Sequence, residues 1–295
     1  MPRILSLLPA ATDIVAALGR SADLVGVTWE CTIPAGARAD VRVVTRDLLH
    51  VDDPDDPAAV DAAVQAAAAD RRPLAAIDEE AVVALAPEVV LTQDLCRVCA
   101  LPAGQATEAL DRLGCRDARV VSLDPMTLDD VLACITEVGA AIGAEPEAAE
   151  LVAGLRRRLD VLPGATAPER PSAVVVEWVD PLFVGGHWIP DLVEAAGARS
   201  ALGTPGGRSA AQPWERVAEL DVDHVVVAPC GFDLDGAALQ AEAVLDRVPA
   251  GAAVWAIDAD QLIVRPGPRL VEGAEVLAAA FAGETTDPAL VRRVR

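Results

Sequence analysis

Short runs of valine, leucine and isoleucine alternate with alanine-rich amphipathic segments through the whole chain, and this alternation constrains the fold more than any other feature. The runs that predict strands are Ile4–Leu8, Leu24–Val27, Val41–Val44, Val89–Leu91 and Val120–Ser122, then Ala173–Glu177, His224–Ala228 and Val254–Ile257. They are apolar without clean polar alternation, as strands covered on both faces are. Helices are predicted between them, over Glu79–Ala86, Ala103–Leu113, Ile189–Ala196, Pro213–Glu219 and Leu270–Phe281. Parallel neighbours need a long crossover, usually helical, so this order implies an α/β fold with mainly parallel sheets.

The alternation breaks once. Thr127 and Asp130 have the spacing of a capping box, which predicts a helix running to about Ile142, and a second helix is expected over about Pro146–Leu162. The proline-rich stretch PGATAPERP follows, and a new strand begins at Ala173. The chain therefore divides into an N-terminal α/β lobe (1–125), a helical connector (126–167) and a C-terminal α/β lobe (168–295), the lobes being Rossmann-like. The segment HVDDPDDPAAV is expected to be an acidic surface loop; it lacks the spacing of a calcium loop.

At the N-terminus, Pro9, Thr12 and Asp13 interrupt the apolar stretch of MPRILSLLPAATDIVAALG, and no cleavage site follows. The better reading is a strand, a turn and a helix from about Asp13 to Leu18, capped by Thr12 or a neighbour and stopped by Gly19. That makes the cytoplasm the expected compartment, where the six cysteines are thiols or metal ligands rather than disulfides. No apolar run is long enough to cross a bilayer, so no membrane insertion is expected. The 46 acidic residues outnumber the 24 basic ones, all arginine, for a net charge of −22. Such a surface repels phosphate backbones and excludes nucleic acid as a partner.

In parallel sheets, ligands meet the carboxyl ends of the strands. Those ends carry the chemistry of this sequence. The second strand leads into TWECTIP, with Trp29, Glu30 and Cys31. The stretch VVLTQDLCRVCALPAG brings Gln93, Cys96 and Cys99. In the C-terminal lobe, Glu177 and Trp178 precede VDPLFVGGHWIP, with Gly186, His187 and Trp188; APCGFD supplies Cys230, and RPGPR supplies Arg265 and Arg269.

Each of these residues has two readings. Cys31, Cys96, Cys99 and Cys230 together would suit zinc or an iron–sulfur cluster; they could equally contact a ligand, do redox chemistry, or be buried small side chains. Cys115 and Cys134 read as core. Trp29, Trp178 and Trp188 offer flat apolar faces to a ligand or pack under a lobe, whereas Trp214 and Trp255 read as structural. His187, after two glycines, is either an axial metal ligand or an ordinary hydrogen-bonding side chain. Glu30, Gln93 and Glu177 can meet polar groups of a ligand. Arg265 and Arg269 either fix an anion or pair with carboxylates. No Walker A, GxGxxG or GxSxG motif is present, so no catalytic residue is assigned.

The segments RILSLLPAATDIVAALG, LVGVTWEC, ALAPEVVLTQ and the WVDPLFVGG loop, with the long connector between them, resemble the periplasmic cobalamin-binding protein family. More widely they resemble the helical-backbone substrate-binding proteins of ABC importers for cobalamin, iron chelates and haem. CRVCA and APCGFD resemble a branch of that group without an export signal. The resemblance implies two Rossmann-like lobes, a rigid connector helix, and a small molecule such as cobalamin or another corrinoid held in the interlobe cleft. It also points to an ABC permease as a partner, and it does not imply catalysis. A cysteine-ligated zinc or iron–sulfur site on the same scaffold, catalytic or not, is the alternative.

Overall fold

A computed structural model of the chain describes residues 1–93, 104, 117–164, 169–284 and 287–295. Two compact units are present. The first comprises Met1–Asp52, Ala62–Pro125 and Leu132–Ala153; the second comprises Asp53–Asp61, Met126–Val131 and Gly154–Arg295. Residues 126–167, expected as a connector, are divided between them. The predicted helix Ala103–Leu113, with Cys96, Cys99 and Cys115, lies outside the described residues.

The first unit is built on β1 (Ile4–Ser6), β2 (Leu24–Val27), β3 (Arg42–Val43), β6 (Val89–Thr92) and β7 (Arg119–Ser122), paired in the order β3-β2-β1-β6-β7. Every pairing in this sheet is parallel. A separate antiparallel pair joins β4 (Thr45–Asp47) to β5 (Ala75–Ile77). β1, β2 and β6 are buried along their whole length, which explains their uninterrupted apolar sequence. Leu5, Leu7, Val25 and Val90 pack there against Val44 and the helix Glu79–Leu85 through Ala81, Val82 and Leu85.

Two expectations in the N-terminal part of the chain need correction. The first helix runs over Pro9–Ala17 and has no side-chain cap. Pro9, whose fixed φ and missing N–H suit a first helical turn, starts it. Thr12 lies inside the helix, buried, and its hydroxyl donates to Ser6 Oγ at 2.8 Å instead of capping. The stop is as expected: Gly19, at φ +70°, donates its N–H to Ala16 O. The acidic DDPDDP segment leads directly into a helix, Pro57–Ala69, rather than remaining a loop. Pro57 again occupies the first position, and Asp56 accepts from the Ala58 N–H at 3.0 Å.

The Thr127–Asp130 capping box is present in full. Thr127 Oγ1 accepts from the Asp130 N–H at 3.1 Å, and the Asp130 carboxylate accepts from the Thr127 and Met126 N–H groups. These hydrogen bonds, that of Thr127 foremost, hold the Asp130 carboxyl below its usual range. The helices that follow span Leu128–Ile142 and Glu145–Asp160.

In the second unit, β8 (Ser172–Val179), β12 (His224–Val227) and β13 (Ala253–Ile257) form a parallel centre. The sheet then departs from the expected pattern. β9 (Leu182–Val184) folds back antiparallel on β8, β11 (Ala210–Ala211) pairs antiparallel with β9, and β14 (Val291–Arg293) closes the other edge antiparallel to β13. β10 (Arg199–Ser200) pairs with β8 in parallel. These edge strands have two or three residues each, too few to leave a periodic signal. The core joins Val174 and Val176 of β8, Val225 and Val227 of β12, and Val254 and Ala256 of β13 to Ala237, Ala238 and Ala241 of the helix Leu234–Ala243. Trp214 and Trp255 take the structural places expected. Trp214 donates to Val179 O at 3.1 Å, and Trp255, 1% exposed, donates to His224 Nδ1 at 3.3 Å.

Candidate ligand site at the strand ends

In the second unit the parallel pair β8–β12 is flanked at the carboxyl end of β8 by the antiparallel β9. Glu177 and Trp178 stand at that end of β8, and Cys230 and Phe232 follow β12. The Cys230 N–H donates to Glu177 O at 3.0 Å, fixing the two strand ends together. The rings of Trp178 and Phe232 lie 5.7 Å apart, tilted by 56°, within the range of a favourable aromatic pair. Trp178 donates its indole N–H to Asp180 O at 3.1 Å and to Pro57 O at 3.2 Å, so its position is fixed although the side chain is only half-buried. Phe183 of β9 is the cross-strand neighbour of Trp178. Three aromatic rings thus gather at one strand end.

The loop after β9 is held from behind. Gly186 donates to Ser209 Oγ at 3.1 Å, and Ser209 in turn donates to the Glu177 carboxylate. A Cβ on Gly186 would lie 2.3 Å from the Ser209 nitrogen and 2.7 Å from the Arg208 carbonyl carbon, so only glycine lets the two backbones come this close. His187 then turns at φ +50°, half-buried. Burial, with the nearby charge of Arg208, lowers its pKa below 6.5. A neutral imidazole keeps a lone pair for a metal or a hydrogen bond.

The other candidate residues fall as follows. Trp188 is buried, 5% exposed, and donates to Ile263 O at 2.8 Å, so its indole serves the core. Arg265 forms a bidentate pair with Asp260, and Arg269 pairs with Glu272, the carboxylate reading rather than the anion reading. In the first unit, Trp29 is 46% exposed beyond β2, and Glu30 and Cys31 beside it are half-buried. Cys31 Sγ lies 3.1 Å from Thr12 Oγ1, extending the Thr12–Ser6 chain to the end of β2. Gln93 is buried just after β6.

Of the four expected thiol ligands, Cys31 belongs to the first unit and Cys230, exposed, to the second; Cys96 and Cys99 lie outside the described residues. Among the described residues no group of three or more His, Cys, Asp or Glu side chains is placed to hold a metal. Cys134 is buried, as expected. Phe183 and Phe232 stand in strand-end segments that the sequence marks, VDPLFVGGHWIP and APCGFD, without a role read for either; Ser209 is unmarked, because it reaches Glu177 only where β11 folds back on β9, and no spacing signals that.

Among the described residues no helix is long and apolar enough to cross a membrane. Strand ends that carry half-buried aromatic rings, and a glycine loop clamped by a carboxylate and a hydroxyl, are features of a two-unit α/β protein. Residues 4–264 match the family model described as "Periplasmic binding protein", and the chain belongs to that family. No curated protein matches it.

Solved structures are similar over nearly the full length. A possible iron-binding (periplasmic solute-binding) protein from Staphylococcus epidermidis is 18% identical, with a TM-score of 0.66 over 94% of this chain and 96% of that one. A periplasmic heme-binding protein from Pseudomonas aeruginosa is 21% identical, with a TM-score of 0.62 over 99% and 98%. An ABC-type Fe3+-hydroxamate transport system protein from Saccharomonospora viridis is 22% identical, with a TM-score of 0.63 over 96% and 93%. At these identities the likeness establishes the fold.

Proposed function

We propose that this protein binds a flat metal chelate, cobalamin or a related corrinoid or tetrapyrrole, as the substrate-binding component of an ABC importer. The observation that carries the reading is the ring pair of Trp178 and Phe232, with Phe183 opposite Trp178 on β9, in the same unit as a half-buried His187 whose pKa is lowered. A macrocycle offers a large apolar face to such rings and a metal to such an imidazole. Membership of the periplasmic binding protein family supports the transport role, as does likeness to an iron-binding, a heme-binding and an Fe3+-hydroxamate transport protein. The donor set suits a chelate that brings its own metal. One imidazole offers a single axial bond, which a corrin or porphyrin metal accepts and a bare ion would need several more of. The partner is then the importer's permease. Catalysis has no part in the role.

The test is a titration of the purified chain with cobalamin and, separately, with haem, following visible absorbance and tryptophan fluorescence. A saturable response at roughly 10 μM or below is expected for one of them. W178A should weaken it about tenfold or more, because a central aromatic anchor is lost. H187A should shift the visible band of the bound chelate while leaving most of the affinity. Absence of saturable binding by either compound removes the reading. Metal that copurifies with the chain, and is lost when Cys31, Cys96, Cys99 and Cys230 become serine, would replace it with the thiol site.

A further inference from the structure

A concavity of about 270 Å³ lies within the second unit, lined by the end of β9 and the 202–208 segment. Gly185, Gly203 and Gly207 are among its lining residues. Gly203, at φ +89°, approaches Gly185 so closely that a Cβ would lie 2.4 Å from the Gly185 oxygen. The turn that follows is closed by Gly207 donating to Thr204 O at 2.8 Å, and by Gly206 donating to His187 O at 3.1 Å. These close approaches shape a cup from the 203–207 turn and the end of β9.

The side chains that enter are of one sign. Arg208 and Arg216 line the cup together with Gln212 and Thr204, and among the described residues no carboxylate lines it. Neither arginine has a carboxylate within ion-pair distance among the described residues, in contrast to Arg20, Arg38, Arg158, Arg170, Arg265, Arg269 and Arg292. Gln212 Oε1 accepts from one Arg216 N–H at 3.1 Å, which orients the guanidinium and leaves its other donors for a ligand. Arg208 is near enough to His187 to help lower its pKa, so the charge is felt at the loop as well as in the cup.

We propose that this cup binds the oxyanion of a small ligand, a carboxylate or a phosphate group, with Arg208 and Arg216 as its two donors and Thr204 and Gln212 as polar neighbours. Guanidinium matches such groups with parallel hydrogen bonds, and the strength of each bond rises because both partners are charged. The cup is separate in its residues from the aromatic cluster, so the proposal stands without the chelate reading.

The full chain is titrated calorimetrically at low ionic strength with inorganic phosphate and, separately, with citrate. Saturable binding of at least one is expected; phosphate alone identifies a phosphate cup and citrate alone a carboxylate cup. R208Q and R216Q should each raise the dissociation constant about tenfold or more. R292Q, which removes an equal charge from an exposed pair with Asp235, should change it by no more than about twofold. Both arginines are exposed, so the variants are expected to fold, and circular dichroism checks this. The proposal is overturned if neither anion binds saturably, if binding survives in the double variant R208Q/R216Q, or if R292Q weakens it as much as R208Q does. Cobalamin and haem titrations report on different residues, so the two proposals fail separately.

Discussion

The β1–β2 end of the first unit and the β8–β9 end of the second are built from the same kind of strand but finished differently. In the first unit all strands are parallel, and the polar finish is a chain of neutral groups, Ser6, Thr12 and Cys31, tucked under the start of one helix. In the second, an antiparallel hairpin and a third edge strand wrap back, so that backbone meets backbone across Gly186, and a carboxylate, Glu177, takes part in the clamp. Parallel strands alone leave residues where sequence order puts them. The folded-back edge recruits residues from 25 or so positions away, and it tolerates far less change because its contacts are main chain.

The sharpest way to test that contrast is a methyl group. G186A places a Cβ 2.3 Å from the Ser209 nitrogen and 2.8 Å from the Gly207 oxygen, both backbone. The expected cost is about 3 kcal/mol of unfolding free energy, the upper end for overpacking. G26A in β2 is the counterpart: its Cβ would lie 2.9 Å from Leu5 Cδ1 and Leu85 Cδ1, the ends of two side chains that can rotate. About 1 kcal/mol is expected there. Urea denaturation of both variants reads the difference, and equal losses would remove the claim that the second unit's edge is the stiffer.

Hydroxyl deletion comes next in size. S209A takes a donor from the Glu177 carboxylate and an acceptor from the Gly186 N–H, and about 2 kcal/mol is expected because the hydrogen bond involves a charged group. T12V removes one neutral hydrogen bond to Ser6 and the contact with Cys31 while keeping the buried volume; about 1 kcal/mol is expected. If T12V proves the costlier, the neutral chain, rather than the clamp, is the more demanding of the two edges.

How much of this was legible beforehand depends on whether a feature lives in local sequence. The long strands and their parallel core were readable because burial on both faces demands unbroken apolar runs, as in AVVVEWV and HVVVA. The capping box at Thr127 and Asp130 was readable because its two bonds lie three residues apart. The helix at Pro57 was passed over although the Asp56–Pro57 pair signals a helix start, because the acidic run around it reads as loop. β9, β10, β11 and β14 were not readable: two or three residues have no periodicity, and what specifies them is pairing with distant partners. The same limit hid the site's supporting shell. Trp178 and His187 were nameable from their strand end, whereas Ser209, Arg208 and Arg216 reach the same neighbourhood only through the hairpin. Trp188 shows the converse, a tryptophan in the expected loop whose N–H is spent on Ile263 in the core.

The smallest expected effect concerns pH, and it lies in the second unit alone. His224 is buried beside Trp255, which donates to its Nδ1, and Phe281, whose ring lies 5.0 Å away. Burial foremost lowers its pKa from 6.5; Asp223 opposes this and Arg293 adds to it. The unfolded chain therefore takes up the proton first as pH falls. Stability contributed by the neutral ring is present above about pH 6.5 and is lost as pH drops from there through the folded-state value. His187, lowered for a similar reason, acts in the same direction. Urea midpoints measured from pH 7.5 down to 5 should fall for the wild type, and H224N, which keeps an acceptor near the Trp255 N–H, should flatten part of that fall. A slope that H224N leaves unchanged would move the pH sensitivity away from the second unit's buried histidine.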